Sequence, residues 1–551
     1  MRIAVVFILA LAACSRQPSR PGATTRDGRL SPMLSNLGAY HRAVSTKNVE
    51  AQRFFDQGLV LVYAFNHAEA VRSFQEAARL DPECGTAYWG QALALAPNIN
   101  DPAIGPDREK QGAEAIAKAM AKRTGLSPVE TGLIEALATR FTASPEPDRK
   151  ALNEAYASAM KALHARFPED NDVAVLYADA VMNTMPWDYW SREDGKPRPG
   201  IADAVAALET VMRREPAHPG ANHVYIHAVE ASPDPDRAVA AADRLGKLVP
   251  GAGHLVHMPA HIYIRVGRYE DGSEANRRAI SADEDYISQC RAQGIYPAAY
   301  YPHNIHFLFA TLAMSGRSAE ALDAARKVAS RHSHDQFQDL GFGFPHLLRA
   351  MPLFAQVRFG KWEEILAETE PGADYPFHRV IRYFARGYAH LANGDSAAAE
   401  ADLAALRASA ADSRLAEMKI FELNDLATLA VIAENMLAGE LAAARGRNRE
   451  ALSLMTKAVA LEDGLLYSEP PDWPLPPRQY LGSMLLRTRR PAAAEKAFRA
   501  DLMRHRDNGW SLRGLQQSLA AQGKTGEAAE IEERFHKAWV HADIALAGPR
   551  I

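Results

Sequence analysis

Between Phe54 and Pro82 the chain reads FFDQGLVLVYAFNHAEAVRSFQEAARLDP, and small side chains recur in it at fixed steps. Gly58 is followed twelve residues later by Ala70, then by Phe74, Ala77 and Pro82. Small residues on helical faces let two helices approach closely, and a proline ends the second of them. The same twelve-residue step returns from Gly387 to Ala399, from Gly439 to Ala451 and from Gly482 to Ala494. Alanine is abundant at helical spacing throughout, and the alternation expected of strands is scarce.

This pattern resembles the tetratricopeptide repeat, a helix–turn–helix unit of about 34 residues. Further copies are GRYEDGSEANRRAI, with Gly267 and Tyr269 at the turn and Ala279 beyond it, and SGRSAEALDAARKV, with Gly316 and Ala321. QGKTGEAAEIEERF reads as one more unit. The resemblance runs from about residue 46 to 540 and implies an all-α fold. In that fold antiparallel helix pairs stack on their neighbours into a right-handed superhelix, a solenoid. Residues 46–345 would form an N-terminal superhelix and residues 346–551 further repeats of the same kind. Two segments interrupt the period, Met182 to Gly200 with Trp187 and Trp190, and the tyrosine-rich Ser281 to Tyr301. Both are expected to be lids over a groove.

The N-terminus MRIAVVFILALAACS holds Arg2, an apolar run from Ile3 to Ala13, and Cys14. The run is too short to span a bilayer but suits a signal peptide over residues 1–13. Leu11-Ala12-Ala13-Cys14 resembles the lipobox of bacterial lipoproteins, which implies cleavage and lipidation of Cys14. Ser15, rather than Asp, implies outer-membrane sorting within the cell envelope. An ordinary secretory signal with an incidental cysteine is the alternative. Residues 14–45, rich in Ser, Pro, Arg and Gly, read as a flexible tether. Cys84 and Cys290 lie 206 positions apart and are expected to stay unpaired. The 24% charged residues sum to a net charge of -4 with no long basic tract, which argues against a nucleic-acid partner.

HPGANHVYIHAVE and GHLVHMPAHIYIR, from His218 and Gly253, repeat the motif H-x-x-x-H. Counted from Pro216, His223 and His227 take positions five and nine of a unit. Counted from Pro250, His257 and His261 take the same positions 34 residues later, with His254 at position two. Registered on Gly316, His303 and His306 take positions two and five of the next unit. In the resembled family these positions line the concave wall. Seven of the 19 histidines would then meet on three consecutive helices, with Glu230 at position twelve and Asp179 at position nine nearby. Rings three or four residues apart share one helix face.

Such a set would hold a transition metal, copper or zinc ahead of calcium or magnesium, because imidazole suits the former. Iron enters if Glu230 or Asp179 ligates, and the number of rings admits a dinuclear arrangement. Glu230 is the candidate catalytic base or outer-shell partner of an oxidase or hydrolase. The competing readings are a groove for a peptide or partner protein with no chemistry, and structural coincidence. Tyr225 and Tyr263 read as packing residues or as partners of ligating imidazoles. Asn66-His67 reads as a helix cap, His332 and His334 as surface residues, and Tyr296, Tyr300 and Tyr301 as gate or loop anchor. H-E-x-x-H, G-x-S-x-G and glycine-rich phosphate loops are absent from the sequence.

Overall fold

The computed structural model describes residues 25, 28–142, 144, 146–290, 296–331 and 343–551. The signal peptide, Cys14, His332 and His334 lie outside the described residues. The chain is all-α, an array of tetratricopeptide-like helical hairpins. Among the described residues the strands are confined to one antiparallel pair, β1 (Lys419–Ile420) with β2 (Asn424–Asp425). Packing divides the chain into two units, residues 1–262 with 277–301, and residues 263–276 with 302–551. Helix Ser318–Ala329 packs directly on Gly343–Arg358 within the second of these units.

In the first unit the helices are α1 (Val49–Tyr63), α2 (His67–Leu80), α3 (Gly85–Leu95), α4 (Pro106–Ala121), α5 (Pro128–Ala138) and α6 (Arg149–Arg166). Then come α7 (Asn171–Met182), α8 (Ile201–Arg214), α9 (Pro219–Val229), α10 (Val239–Leu248) and α11 (Gly253–His257). Residues of α12 (Pro259–Val266) and α13 (Tyr269–Cys290) are shared between the units. Successive helices pack in pairs, α1 on α2, α2 on α3 and α3 on α4. The Phe74 ring shows why the small residues recur. A Cβ placed on Gly58 would meet it at 2.7 Å, and one on Gly90 would overlap it. Gly90→Ala is therefore expected to destabilise the first unit by about 1–3 kcal/mol through overpacking. Thermal denaturation checks this, and an unchanged midpoint would show that the hairpin contact is loose.

Residues 14–24, 26 and 27 of the expected tether lie outside the described residues, and from Leu30 on it is a strap. From Leu30 to Ser45 the chain lies on the first unit, with Ser31, Leu34 and Leu37 buried. The Leu30 N–H donates to Glu76 at 3.1 Å, the Ser31 hydroxyl to Glu69 at 2.6 Å and the Leu34 N–H to Gln57 at 2.8 Å. Its polar groups are satisfied by side chains of distant helices, which composition cannot show. In the second interruption α13 is helical to Cys290, and a π-type turn lies at Tyr296–Tyr300. Cys84 and Cys290 are both buried and unpaired.

In the second unit, hairpins pair Pro376–Ala392 with Ser396–Ala410, Leu426–Ala444 with Asn448–Gly464, and Pro477–Arg487 with Pro491–Arg504. Leu426–Ala444 is long and apolar enough to cross a membrane by composition, yet 72% of it is buried within the protein, as a core helix is.

Candidate metal centre

Helix α9 begins at Pro219, and its N-cap is His218, whose Nδ1 accepts the Ala221 N–H at 3.1 Å. One face of α9 then carries His223 and His227 a turn apart, and Glu230 follows at its C-terminus. His254 and His257 come from α11, and His261 from α12. Pro259 lacks an N–H and separates these two short helices. α11 sits close under α13, where a Cβ on Gly253 would collide with the Asp283 carboxylate.

These segments bring five imidazoles and one carboxylate of the first unit together, and none of the six residues is more than 3% exposed. One ring nitrogen each from His223, His227 and His254 lie within 4.8 Å of one another. His223 Nδ1–H donates to the Tyr63 carbonyl at 2.6 Å, which leaves its Nε2 as a lone pair. That Nε2 stands 3.1 Å from His254 Nε2. His227 Nδ1–H donates to Glu230 at 2.9 Å. His227 Nε2 and His254 Nδ1 are buried and have no hydrogen-bond partner among the described residues. His261 Nδ1 lies 2.6 Å from the other Glu230 oxygen, and His261 Nε2 lies 2.9 Å from His257 Nε2.

Burial holds His223 and His254 well below the usual imidazole range, and neighbouring imidazoles add to the effect. Burial lowers His227 too, against the pull of Glu230. Burial alone would raise the Glu230 carboxyl, but His261 and His227 outweigh it and hold it below the usual carboxylate range. The result is a set of neutral rings with lone pairs available, the protonation state that a metal requires. With bonds of about 2.0–2.1 Å, two ligand nitrogens of a tetrahedral ion sit roughly 3.3 Å apart. The 3.1 Å separation of His223 and His254 is close to that edge. The two oxygens of Glu230 face the Nδ1 atoms of His227 and His261, so this one carboxylate orients both rings.

Aromatic rings enclose the cluster. Phe65 stacks on His254 at 5.3 Å and 17°, and on His227 at 5.9 Å and 10°. Its edge meets His223 at 4.7 Å. Trp187 meets His227 edge-on at 5.4 Å, and Tyr300 lies 5.0 Å from His254. Phe65 and Trp187 both adopt left-handed backbone conformations, at φ 56° and 67°. Such conformations cost about 1–3 kcal/mol each and cluster at functional sites. Trp187 and Tyr300 belong to the two interrupting segments, so each segment contributes one ring to this enclosure. No periodicity pointed to Phe65, which sits in the turn between α1 and α2.

The remaining candidate residues have the following surroundings. His306 belongs to the second unit, where its ring lies parallel to Phe309 at 6.4 Å and near Phe344 at 6.2 Å. Neither of its nitrogens has a hydrogen-bond partner among the described residues, and burial lowers its pKa to about 3. It joins no ligand-spaced cluster of His, Cys or carboxylate side chains among them. Its helix face is spent on aromatic packing. His303 is also in the second unit, with its ring 5.5 Å from Phe307. Asp179 accepts from Asn183 at 3.0 Å, is pushed up to about 6 by burial, and joins no ligand-spaced group among the described residues. Tyr225 donates to Glu209 at 2.8 Å, and Arg268 lies over Tyr263 at 4.3 Å, so both tyrosines serve packing. Asn66 makes no cap hydrogen bond, while His67 stacks on Phe65 at 5.5 Å.

No protein-family profile matches the chain, and no curated protein matches it. Among solved structures it is similar to human IFIT1, crystallised as a dimer with m7Gppp-AAAA, at 12% identity and a TM-score of 0.33. That likeness covers 83% of this chain and 95% of the other. It is also similar to the APC/C hetero-tetramer Cut9–Hcn1, at 12% identity and a TM-score of 0.30, over 93% of this chain and 77% of that one. These likenesses bear on neither ligand nor mechanism, and the repeat class stands on the helical hairpins described above.

Proposed function

We propose that this protein is a transition-metal binder whose centre is formed by His223, His227 and His254, with copper or zinc as the ion. One observation carries the reading: three buried neutral imidazoles bring their nitrogens within 4.8 Å, and two of the rings leave a nitrogen unpartnered. Buried polar atoms are almost always satisfied, so such a group needs an explanation, and an ion supplies one. Three protein nitrogens with a further position open are the donor set of catalytic zinc sites. A bound ion there would supply Lewis acidity, or redox chemistry if it is copper. The chain's own part is to hold the rings, fix their tautomers through the Tyr63 carbonyl and Glu230, and exclude water with Phe65 and Trp187. The burial of these rings runs against their use as a peptide-reading surface.

Glu230 also joins the centre to the His257–His261 pair, so two ions per chain would place the second one there. Copper content would favour an oxidase and zinc a metal-assisted hydrolase. Elemental analysis of untagged protein, expressed without residues 1–14 and supplemented with copper, zinc and iron, tests the reading. About one or two ions per chain are expected, and trace content in every case would leave a non-catalytic scaffold. Glu230→Gln should weaken the metal by about 10–100-fold, the usual effect of losing a partner of a ligating imidazole. Competition with a chromophoric chelator measures this. The same proposal places the protein in the bacterial envelope, anchored through Cys14, on the support of the Leu11–Cys14 motif. Fatty-acid labelling that Cys14→Ala does not abolish would refute the anchor.

A further inference from the structure

The second unit, far along the chain from the histidine motifs, contains a pocket of about 310 Å³. Three guanidiniums, of Arg358, Arg487 and Arg550, share its wall with one side-chain carboxylate, Glu440, and with Ile551. Glu440 is already committed. Arg487 donates to it at 3.0 and 2.8 Å, and Arg550 pairs with it at 3.0 Å. Arg358 is different. It is only 4% exposed and forms no ion pair among the described residues. Its Nη1 donates to Gln479 at 2.7 Å, its Nη2 approaches the Met314 sulfur at 3.7 Å, and its Nε has no hydrogen-bond partner. Asp501 is felt electrostatically, but it accepts from Gln479, Asn508 and Ser511 at 3.0, 3.1 and 2.6 Å. The Trp510 ring under Arg358, at 4.3 Å, offsets only part of the burial of the charge. On the same wall Tyr388 buries a hydroxyl that also has no partner.

We propose that this pocket binds a small organic carboxylate with a flat apolar body, such as an arylacetic acid. Arg358 Nε–H and the Tyr388 hydroxyl are each buried without a partner in residues that line this pocket, a pair of donors that suits the two oxygens of a carboxylate. The rings of Tyr480 and Trp510, together with Val357 and Leu391, provide the faces for an apolar body. A phosphate would leave oxygens without donors on such a wall. The volume lies at the small end of ligand sites, which suits a single-ring or indole acid.

The test uses the full chain and four probes: phenylacetate, indole-3-acetate, neutral phenylacetamide and inorganic phosphate. Binding is read by tryptophan fluorescence and by a concentration-dependent rise in melting temperature. At least one of the two acids should bind saturably, and phenylacetamide and phosphate should not. Tyr388→Phe should weaken the acid by about 3–10-fold, the loss of one hydrogen bond, and Arg358→Met should abolish binding. Should Arg358→Met not fold, Tyr388→Phe, which removes a single oxygen, still decides. The proposal is overturned if neither acid binds, if the amide or phosphate binds equally well, or if Tyr388→Phe binds the acid as tightly as the unaltered chain. None of these outcomes depends on metal content.

Discussion

Alanine at both His227 and His254 should remove the ion of the His223–His227–His254 centre and abolish the stabilisation that this ion gives. In the unaltered chain, an ion supplied at a hundredfold its Kd stabilises the native state by about 2.7 kcal/mol, because it binds the folded form alone. The double variant should bind one ion fewer per chain and show a correspondingly smaller rise in melting temperature on adding metal. Loss of two imidazoles leaves His223 and a cavity, and one nitrogen does not hold an ion against water. His306→Ala is the control. His306 packs on Phe309 and Phe344, so its loss should lower stability through the cavity while leaving metal content unchanged. Elemental analysis and calorimetry of the two variants separate these effects. Full metal content in the double variant would remove His227 and His254 from the site.

Asp172→Ala is expected to cost about 3–5 kcal/mol, as the loss of one partner from a buried ionic network does. Asp172 is 5% exposed. It accepts from the Tyr40 hydroxyl at 2.6 Å, from Arg42 at 2.6 Å and from the Tyr63 hydroxyl, and it lies 3.3 Å from His218 Nε2. Its removal leaves those donors buried and unmatched. Burial alone would raise this carboxyl, but His218, Arg42 and Tyr40 outweigh it and hold it below the usual range. A depressed folded value means that the stabilisation is complete above the ordinary carboxylate pKa of about 4 and drains away as pH falls below it. Denaturant unfolding between pH 7 and pH 3 should therefore show a steeper acid loss in the unaltered chain than in Asp172→Asn. Metal affinity should fall as well, because Tyr63, anchored by Asp172, also offers the carbonyl that fixes the His223 tautomer. Equal acid sensitivity in the two proteins would mean that the network is solvated and weak.

That network also shows why the N-terminal strap escaped notice. Tyr40 and Arg42 sit in a stretch whose composition reads as a tether, and their partners Asp170, Asp172 and His218 are more than a hundred residues away. A segment with few apolar residues can still be ordered when other helices offer acceptors for its backbone and hydroxyl groups. The aromatic contacts of Trp187 and Tyr300 were easier to find, since both residues lie in segments that break the repeat.

The helical hairpins follow from the residues alone. Gly58, Ala70, Ala77 and Pro82 dictate close helix pairs, because steric size and the missing proline N–H act over a single turn of chain. The pairing of His223 with His227, and of His257 with His261, is local in the same way, as a spacing of four puts two rings on one face. Which faces meet was decided by packing. His223 meets Tyr63 across 160 residues, and Phe65 roofs three imidazoles from a turn that carries no motif. His306 obeys the same spacing rule and yet turns to Phe344. Helix periodicity sets the direction of a side chain about its own axis, whereas the rotation and offset between helices depend on the fit of every side chain along the contact.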